Sequence, residues 1–205
     1  MSALSQPLLI LGAGGHGRVV ADAALAQGWE RVLVSDRDPA RSGQQLLPGM
    51  EVLPLEQALA RAAVVHVAIG SAGAREREAK ALGLPLATVV HPRASMSRHA
   101  EIGAGCFVAA QAVVAPGARL GVAVIVNHGA VVDHDVEVGD FTHVAPLVAL
   151  GGAVRIGSRV LLGSGCKVLP GVRVGDDVVV GAGAVVRGNL EGPGVYAGVP
   201  ARRVR

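Results

Sequence analysis

The sequence predicts a chain in two parts: a small α/β domain with a parallel sheet over residues 1–92, then a β-solenoid with a short tail over residues 93–205. Three observations predict it. One aliphatic residue returns at every sixth position from Met96 to Val186 without a slip. Composition changes sharply near Pro92. Ahead of that point, short apolar runs alternate with helical patterns behind a glycine-rich turn.

In the first part, Leu8 to Leu11 reads as a buried strand, followed by Gly12-Ala13-Gly14-Gly15-His16-Gly17 and a helical pattern to about Gln27. Arg31 to Asp36 reads as a second strand. Leu55 to Ala62 and Ala74 to Leu82 read as helices, with Val64 to Ile69 as a strand between them and Leu86 to Val90 as a last strand. This alternation implies a parallel sheet flanked by helices. Gly12, Gly14 and Gly17 satisfy G-x-G-x-x-G, and Asp36 follows the second strand, which is the Rossmann-like βαβ fingerprint in its strand–turn–helix setting. A dehydrogenase is therefore a rival reading. Against it, the unit ends near Pro92, too soon for the six-stranded double half that holds both nucleotides of NAD. The turn suits a shorter ligand, a nucleotide diphosphate carrying something else, because glycines admit a pyrophosphate and a helix N-terminus favours its charge.

In the second part the series Met96, Ile102, Val108, Val114 and onward has sixteen members. Two residues before each stands something small or β-branched, such as Ala94, Cys106, Ala130 or Val160, and Gly often follows, as at Gly103, Gly121 and Gly139. A period of six fits neither a helix nor a hairpin sheet. It suits short strands alternating with tight corners, stacked as coils. Strand residues two apart share a face, so both slots point inward. Three hexads per coil make a triangular prism. Spacing alone leaves its hand open, although parallel crossovers are right-handed in about 98% of cases.

Composition agrees. Hydrophobic content is 51% but aromatic content only 2%, as a narrow prism filled by Val, Ile, Ala and Leu requires. No apolar run approaches the ~20 residues of a membrane span. Met1 to Leu11 lacks a basic start and a cleavage-like site, so no signal peptide and a cytoplasmic location are expected. Cys106 and Cys166 are ten hexads apart, hence on different faces and beyond disulfide reach; both take the inward small slot, where Cys acts as a small hydrophobe. Net charge is only +3, yet from Gly151 onward eight basic residues face three acids. A nucleic-acid role is disfavoured, since a regular prism offers neither a recognition helix nor an aromatic platform. A small polyanion such as coenzyme A fits better, beside the plainer reading of a solvated basic face.

Taken as a whole, the stretches GAGGHG (Gly12 to Gly17), SDRDP (Ser35 to Pro39) and NHGAVVDHDVEVGDFTHV (Asn127 to Val144), the hexads, and the closing Gly198-Val199-Pro200-Ala201-Arg202 resemble one family. It is the nucleotide-sugar acetyltransferases of bacterial glycan pathways, which includes the bacillosamine-pathway and GDP-perosamine N-acetyltransferases. The resemblance covers nearly the whole chain. It implies a left-handed parallel β-helix of hexapeptide repeats that holds acetyl-CoA, an N-terminal domain that holds the nucleotide-sugar, and no metal. It also implies a homotrimer with active sites between subunits, and acetyl transfer to the amino group of a nucleotide-linked 4-amino-4,6-dideoxy-sugar.

Three of the seven histidines crowd the middle coils: His128, His134 and His143. His128 and His134 occupy the same slot in consecutive hexads, so they lie on adjacent faces; one chain does not easily bring both to a point, whereas two chains of a trimer could. His134 stands between Asp133 and Asp135. A carboxylate beside an imidazole fixes its tautomer and supports the cation formed on proton uptake. The resemblance implies His134 as general base with Asp135 orienting it and Asp133 in reserve. It places His143 near the acetyl group or thioester and Gly152 along the pantetheine arm, while Asn127 matches the motif with a role open to corner geometry. In the N-terminal domain it assigns Gly14 and His16 to the phosphate and sugar end and Asp36 to the base or ribose. His66 on a buried-type strand reads as structural. The chain departs from the family pattern at His128, where Thr or Ser is common, and at Leu147, where Gly is common.

Other readings are a sugar O-acetyltransferase, a trimeric metal hydratase of the γ-carbonic anhydrase type, and a non-enzymatic scaffold. The hydratase is disfavoured because the six- and nine-residue spacings of the histidines do not match its closer His pair.

Overall fold

The computed structural model describes residues 3–205; Met1 and Ser2, the head of the segment read for a signal, lie outside them. The chain divides into two compact units between Pro92 and Arg93.

The first unit is built round β1 (Leu8–Leu11), whose four residues are all buried. It pairs in parallel with β2 (Val32–Ser35) on one side and with β5 (Val64–Val67) on the other. Beyond β2 lies a hairpin, β3 (Gln45–Leu47) and β4 (Met50–Leu53), giving the order β3-β4-β2-β1-β5. Helices α1 (Gly15–Gln27), α2 (Leu55–Arg61) and α3 (Ala72–Ala81) complete the unit. Leu9, Leu11, Ala58, Val65 and Val67 form one buried cluster. α1 stops at Gly28, whose φ of 98° lets its N–H turn back on the carbonyls of Ala24 and Leu25.

Two local expectations change. The hairpin is absent from the sequence reading because its strands are too short for a two-residue period to register; the Pro48-Gly49 pair, with Gly49 at φ 77°, was its signal. The stretch 86–90 is not one strand. Leu86 makes a single bridge to Val65, and only β6 (Val89–Val90) is strand.

The second unit is a three-sided parallel helix. Its first sheet stacks Ser95–Met96, Val113–Val114, Val131–Val132, Ala149–Leu150, Lys167–Val168 and Val185–Val186. The second stacks Glu101–Ile102, Arg119–Leu120, Glu137–Val138, Arg155–Ile156 and Arg173–Val174. The third runs from Phe107–Val108 through Ile125–Val126, His143–Val144 and Leu161–Leu162 to Val178–Val180, and is closed by the hairpin Gly194–Ala197 and Arg202–Arg203. Partners such as Val113 and Val131, or Ile125 and His143, are eighteen residues apart. Three hexads therefore make each coil.

The aliphatic series and the small slot two residues before it are buried from Cys106 to Val186. Each such aliphatic residue stabilises by about 1.5–3 kcal/mol relative to exposure. One polar member, Thr142, donates to the Gly157 carbonyl and accepts from the Val160 N–H, so its hydroxyl is satisfied by the next coil. Cys106 and Cys166 are buried just ahead of strands of different sheets, and burial pushes the Cys166 thiol up to about 11. The third residue after the aliphatic one adopts positive φ at every corner from Gly105 to Gly183, including Gln111, Ala123, Asp135, Phe141, Leu147, Ala153, Arg159 and Asp177. The left-handed corner is thus set by coil stacking rather than by glycine.

The basic excess beyond Gly151 is partly consumed within the helix. Arg155 pairs with Glu137 one coil earlier, and Arg159 meets Asp177 at 2.7 Å one coil later.

His66, on β5, is buried, with Nδ1 2.9 Å from the Ala87 carbonyl, and burial pushes its pKa down from 6.5 to about 4. Between these values the unfolded chain binds a proton that the folded one refuses, so stability falls as pH drops through that window. The full loss is on the order of 3 kcal/mol. Urea melts of His66→Gln should show a flatter pH dependence between pH 6.5 and 4 than those of the wild type.

Candidate active site

In the first unit the glycine-rich turn leaves β1 and enters α1. Gly12 has φ +117°, and a Cβ there would lie 2.7 Å from the Ala68 carbonyl oxygen. A Cβ on Gly17 would collide with the Gly12 carbonyl oxygen. These two glycines are needed for chain packing. Gly14 and Gly15 differ: nothing lies within 4 Å of where their Cβ would be. Gly14 caps α1 without a side-chain acceptor, and the first-turn N–H groups of a helix lack intrahelical partners. His16, half-buried, stands in that first turn. The arrangement offers an open, positively polarised surface to an anion.

Asp36 holds this turn in place. Its carboxylate accepts from the Ala13 N–H at 2.6 Å and from the Asp38 N–H at 3.0 Å. Arg41 reaches the Ala13 carbonyl at 3.1 Å and lies 3.8 Å from the same carboxylate. Arg75 is buried and donates to the carbonyls of Ile69 and Gly70, fixing the loop that follows β5. Neither arginine was legible as a loop anchor, because within SDRDPAR and GAREREAK each looks like an ordinary surface cation.

In the second unit the histidines separate onto two corners. The corner between the first and second sheets carries Asp133, His134 and Asp135. His134 Nδ1 lies 2.9 Å from Asp135 Oδ2, while Asp133 Oδ1 accepts the His134 backbone N–H at 2.7 Å. Asp135 therefore addresses the ring and Asp133 the backbone. Other corner acids show the contrast: Asp140 and Asp176 accept the N–H groups of Val122 and Ser158 and simply brace the preceding coil. The imidazole side chain is 62% exposed. Gly152 lies directly beneath it in the next coil, near enough that a Cβ there would run into Nε2 and Cε1.

The corner between the third and first sheets carries Asn127 and His128, with His143 in the next coil. Asn127 Nδ2 is 3.2 Å from His143 Nε2, and Asn127 Oδ1 accepts the His128 N–H at 2.8 Å. Asn127 thus serves corner geometry and orients His143 together. Leu147, at φ 62° and 65% exposed, donates its N–H to the His128 carbonyl. The two clusters occupy opposite edges of the first sheet, and one chain does not bring them to a point. Among the described residues no group of three or more His, Cys, Asp and Glu side chains is placed to hold a metal ion.

Residues 7–82 match the model of the PglD N-terminal domain, and residues 153–188 match the bacterial transferase hexapeptide (six repeats). The acetyltransferase domain of PglB from Neisseria gonorrhoeae FA1090 is 35% identical, with a TM-score of 0.90 over 98% of this chain and 100% of that one. The chain belongs to the nucleotide-sugar acetyltransferase family. Perosamine N-acetyltransferase from Caulobacter crescentus, solved with CoA and GDP-perosamine, is 36% identical, with a TM-score of 0.88 over 96% of each chain. The PglB domain has also been solved with acetyl coenzyme A. No curated protein matches the chain. As a member of this family the chain is an acyltransferase, and its solenoid is a left-handed parallel β-helix.

In this acyltransferase the hydrogen bond that the His134 ring donates to Asp135, helped by the charge of Asp133, holds His134 above the usual imidazole pKa. Asp135→Asn should move the His134 titration to lower pH, read directly by the ring-proton NMR shifts.

Proposed function

We propose that the protein is a cytoplasmic, acetyl-CoA-dependent N-acetyltransferase acting on the amino group of a nucleotide-linked 4-amino-4,6-dideoxy-sugar. The observation that carries this reading is the 2.9 Å contact between His134 and Asp135 on an exposed corner. It stands in a chain whose full-length relative is solved with CoA and an amino-sugar nucleotide.

In this scheme the open turn at Gly14, with His16 in the first helical turn, takes the diphosphate, and Asp36 anchors that turn while keeping lone pairs for the ribose. Asp135 accepts a hydrogen bond from the Nδ1–H of His134, which leaves the Nε2 lone pair for chemistry. The neutral sugar amine attacks the thioester carbonyl, its proton passes to Nε2, the C–N bond forms, and the C–S bond breaks. His134 then returns the proton to the departing thiolate. General-base help of this kind supplies roughly 10² to 10⁴ in rate, and alignment of amine and thioester supplies more. His143, oriented by Asn127, lies beside the acetyl group, and Gly152 borders the pantetheine arm.

The site is completed in a homotrimer. The second sheet's outward residues are Glu101, Arg119, Glu137, Arg155 and Arg173, all charged, whereas the first sheet shows Ser95, Val113, Val131, Ala149, Lys167 and Val185, with one charge, Lys167, among them. Turning that mainly apolar face to the threefold axis brings the His134 corner of one subunit beside the Asn127–His128 corner, with its neighbouring His143, of the next.

With acetyl-CoA and a panel of UDP-, GDP- and dTDP-linked 4-amino-sugars, one acceptor should release free thiol, and His134→Ala should lower kcat by roughly 10² to 10⁴. Turnover with hydroxyl acceptors alone would replace the amine by an O-acetyl acceptor. A monomer in sedimentation would remove the shared site.

A further inference from the structure

We propose that Gly117 and Gly152 are positioning residues of the His134–Asp135 pair: two bare Cα atoms, one coil before and one coil after, between which the imidazole and carboxylate are seated. The inference rests on the reading of His134 as the base.

Gly152 is buried although it stands at a corner. Its slot, second after the aliphatic residue, does not ask for glycine. Arg98, Pro116, Val122, His128, His134 and Asp140 all occupy it elsewhere. Nor does Gly152 adopt positive φ. What distinguishes it is the ring overhead, since a Cβ there would run into Nε2 and lie 2.5 Å from Cε1 and 3.2 Å from Cδ2 of His134. Gly188 holds the same slot of the same corner two coils on, and nothing lies within 4 Å of its would-be Cβ.

Gly117 makes the matching case for the carboxylate. It has φ +75°, but that slot accepts Ala123, Ala153 and bulkier residues at similar φ. A Cβ on Gly117 would lie 2.5 Å from Asp135 Oδ1, the oxygen not used on the ring. An alanine there forces the carboxylate to turn, and the bond from Oδ2 to Nδ1 turns with it. Gly171, at φ +72° in the same slot and with nothing within 4 Å, carries the backbone constraint without the collision.

The test compares Gly152→Ala with Gly188→Ala and Gly117→Ala with Gly171→Ala, by steady-state kinetics and by NMR titration of His134. A displacement of about 1 Å at a reacting group costs on the order of 10² in rate. Gly152→Ala should lower kcat by about that factor and shift the His134 ring resonances, with Gly188→Ala unchanged. Gly117→Ala should lower the His134 pKa and carry the acid limb of the rate profile with it, with Gly171→Ala unchanged. Three results overturn the proposal: equal effects in test and control variants, an unmoved His134 titration, or a Gly152→Ala that raises KM for acetyl-CoA at constant kcat. The last would make Gly152 part of the cofactor track only. His134→Ala separates the two failures. If it retains full turnover the base assignment falls, while the ring shifts still report whether the glycines seat the side chain.

Discussion

Each coil of the second unit passes its backbone hydrogen bonds to the coil eighteen residues on, and this one constraint governs most of what the structure contains. A residue's closest neighbours are those directly above and below it, at roughly 4.8 Å. Aliphatic residues therefore stack on aliphatic ones, Thr142 finds its partners in the following coil, and Glu137 meets Arg155. The corners obey the same rule. Asn127 orients a histidine of the next coil, while Asp140 and Asp176 brace the coil before them.

The two units handle glycine differently. In the first, Gly12 and Gly17 are required by close approach of the chain to itself, and Gly14 and Gly15 leave a surface open. In the second, glycine is dispensable for the corner turn, since eight other residues adopt positive φ there. Glycines at corners are informative only where a side chain of the adjacent coil needs the room.

Chemistry follows from this geometry in a constrained way. The corner that carries His134 is exposed, which in the proposed mechanism lets the base meet two substrates. Its exposure also means that one corner alone shelters nothing, and the complementary histidine cluster lies on the other edge of the same sheet. The mainly apolar outward residues of that sheet, with Lys167 the one charge, set against the charged ones of its neighbour, join these facts in the proposed assembly.

Much of the molecule was legible beforehand. The unbroken six-residue period determined the strands, the inward slots and the three-sided section, because a packed core admits no slip of register. The Gly12-Gly14-Gly17 spacing determined the strand–turn–helix, and the Asp-His-Asp run marked the corner where a base could stand. Other features were decided only in three dimensions, by the backbone geometry of the corners and by contacts between residues distant in sequence. The hand of the helix was not readable from spacing. Arg75 and Arg41 became loop anchors through carbonyls that sequence does not display. Asp135 rather than Asp133 reached the imidazole because the corner backbone turned one acid to the ring and the other to the His134 N–H. Likewise Gly152, which the resemblance sets on a cofactor track, was placed beneath His134 by the stacking of the coils.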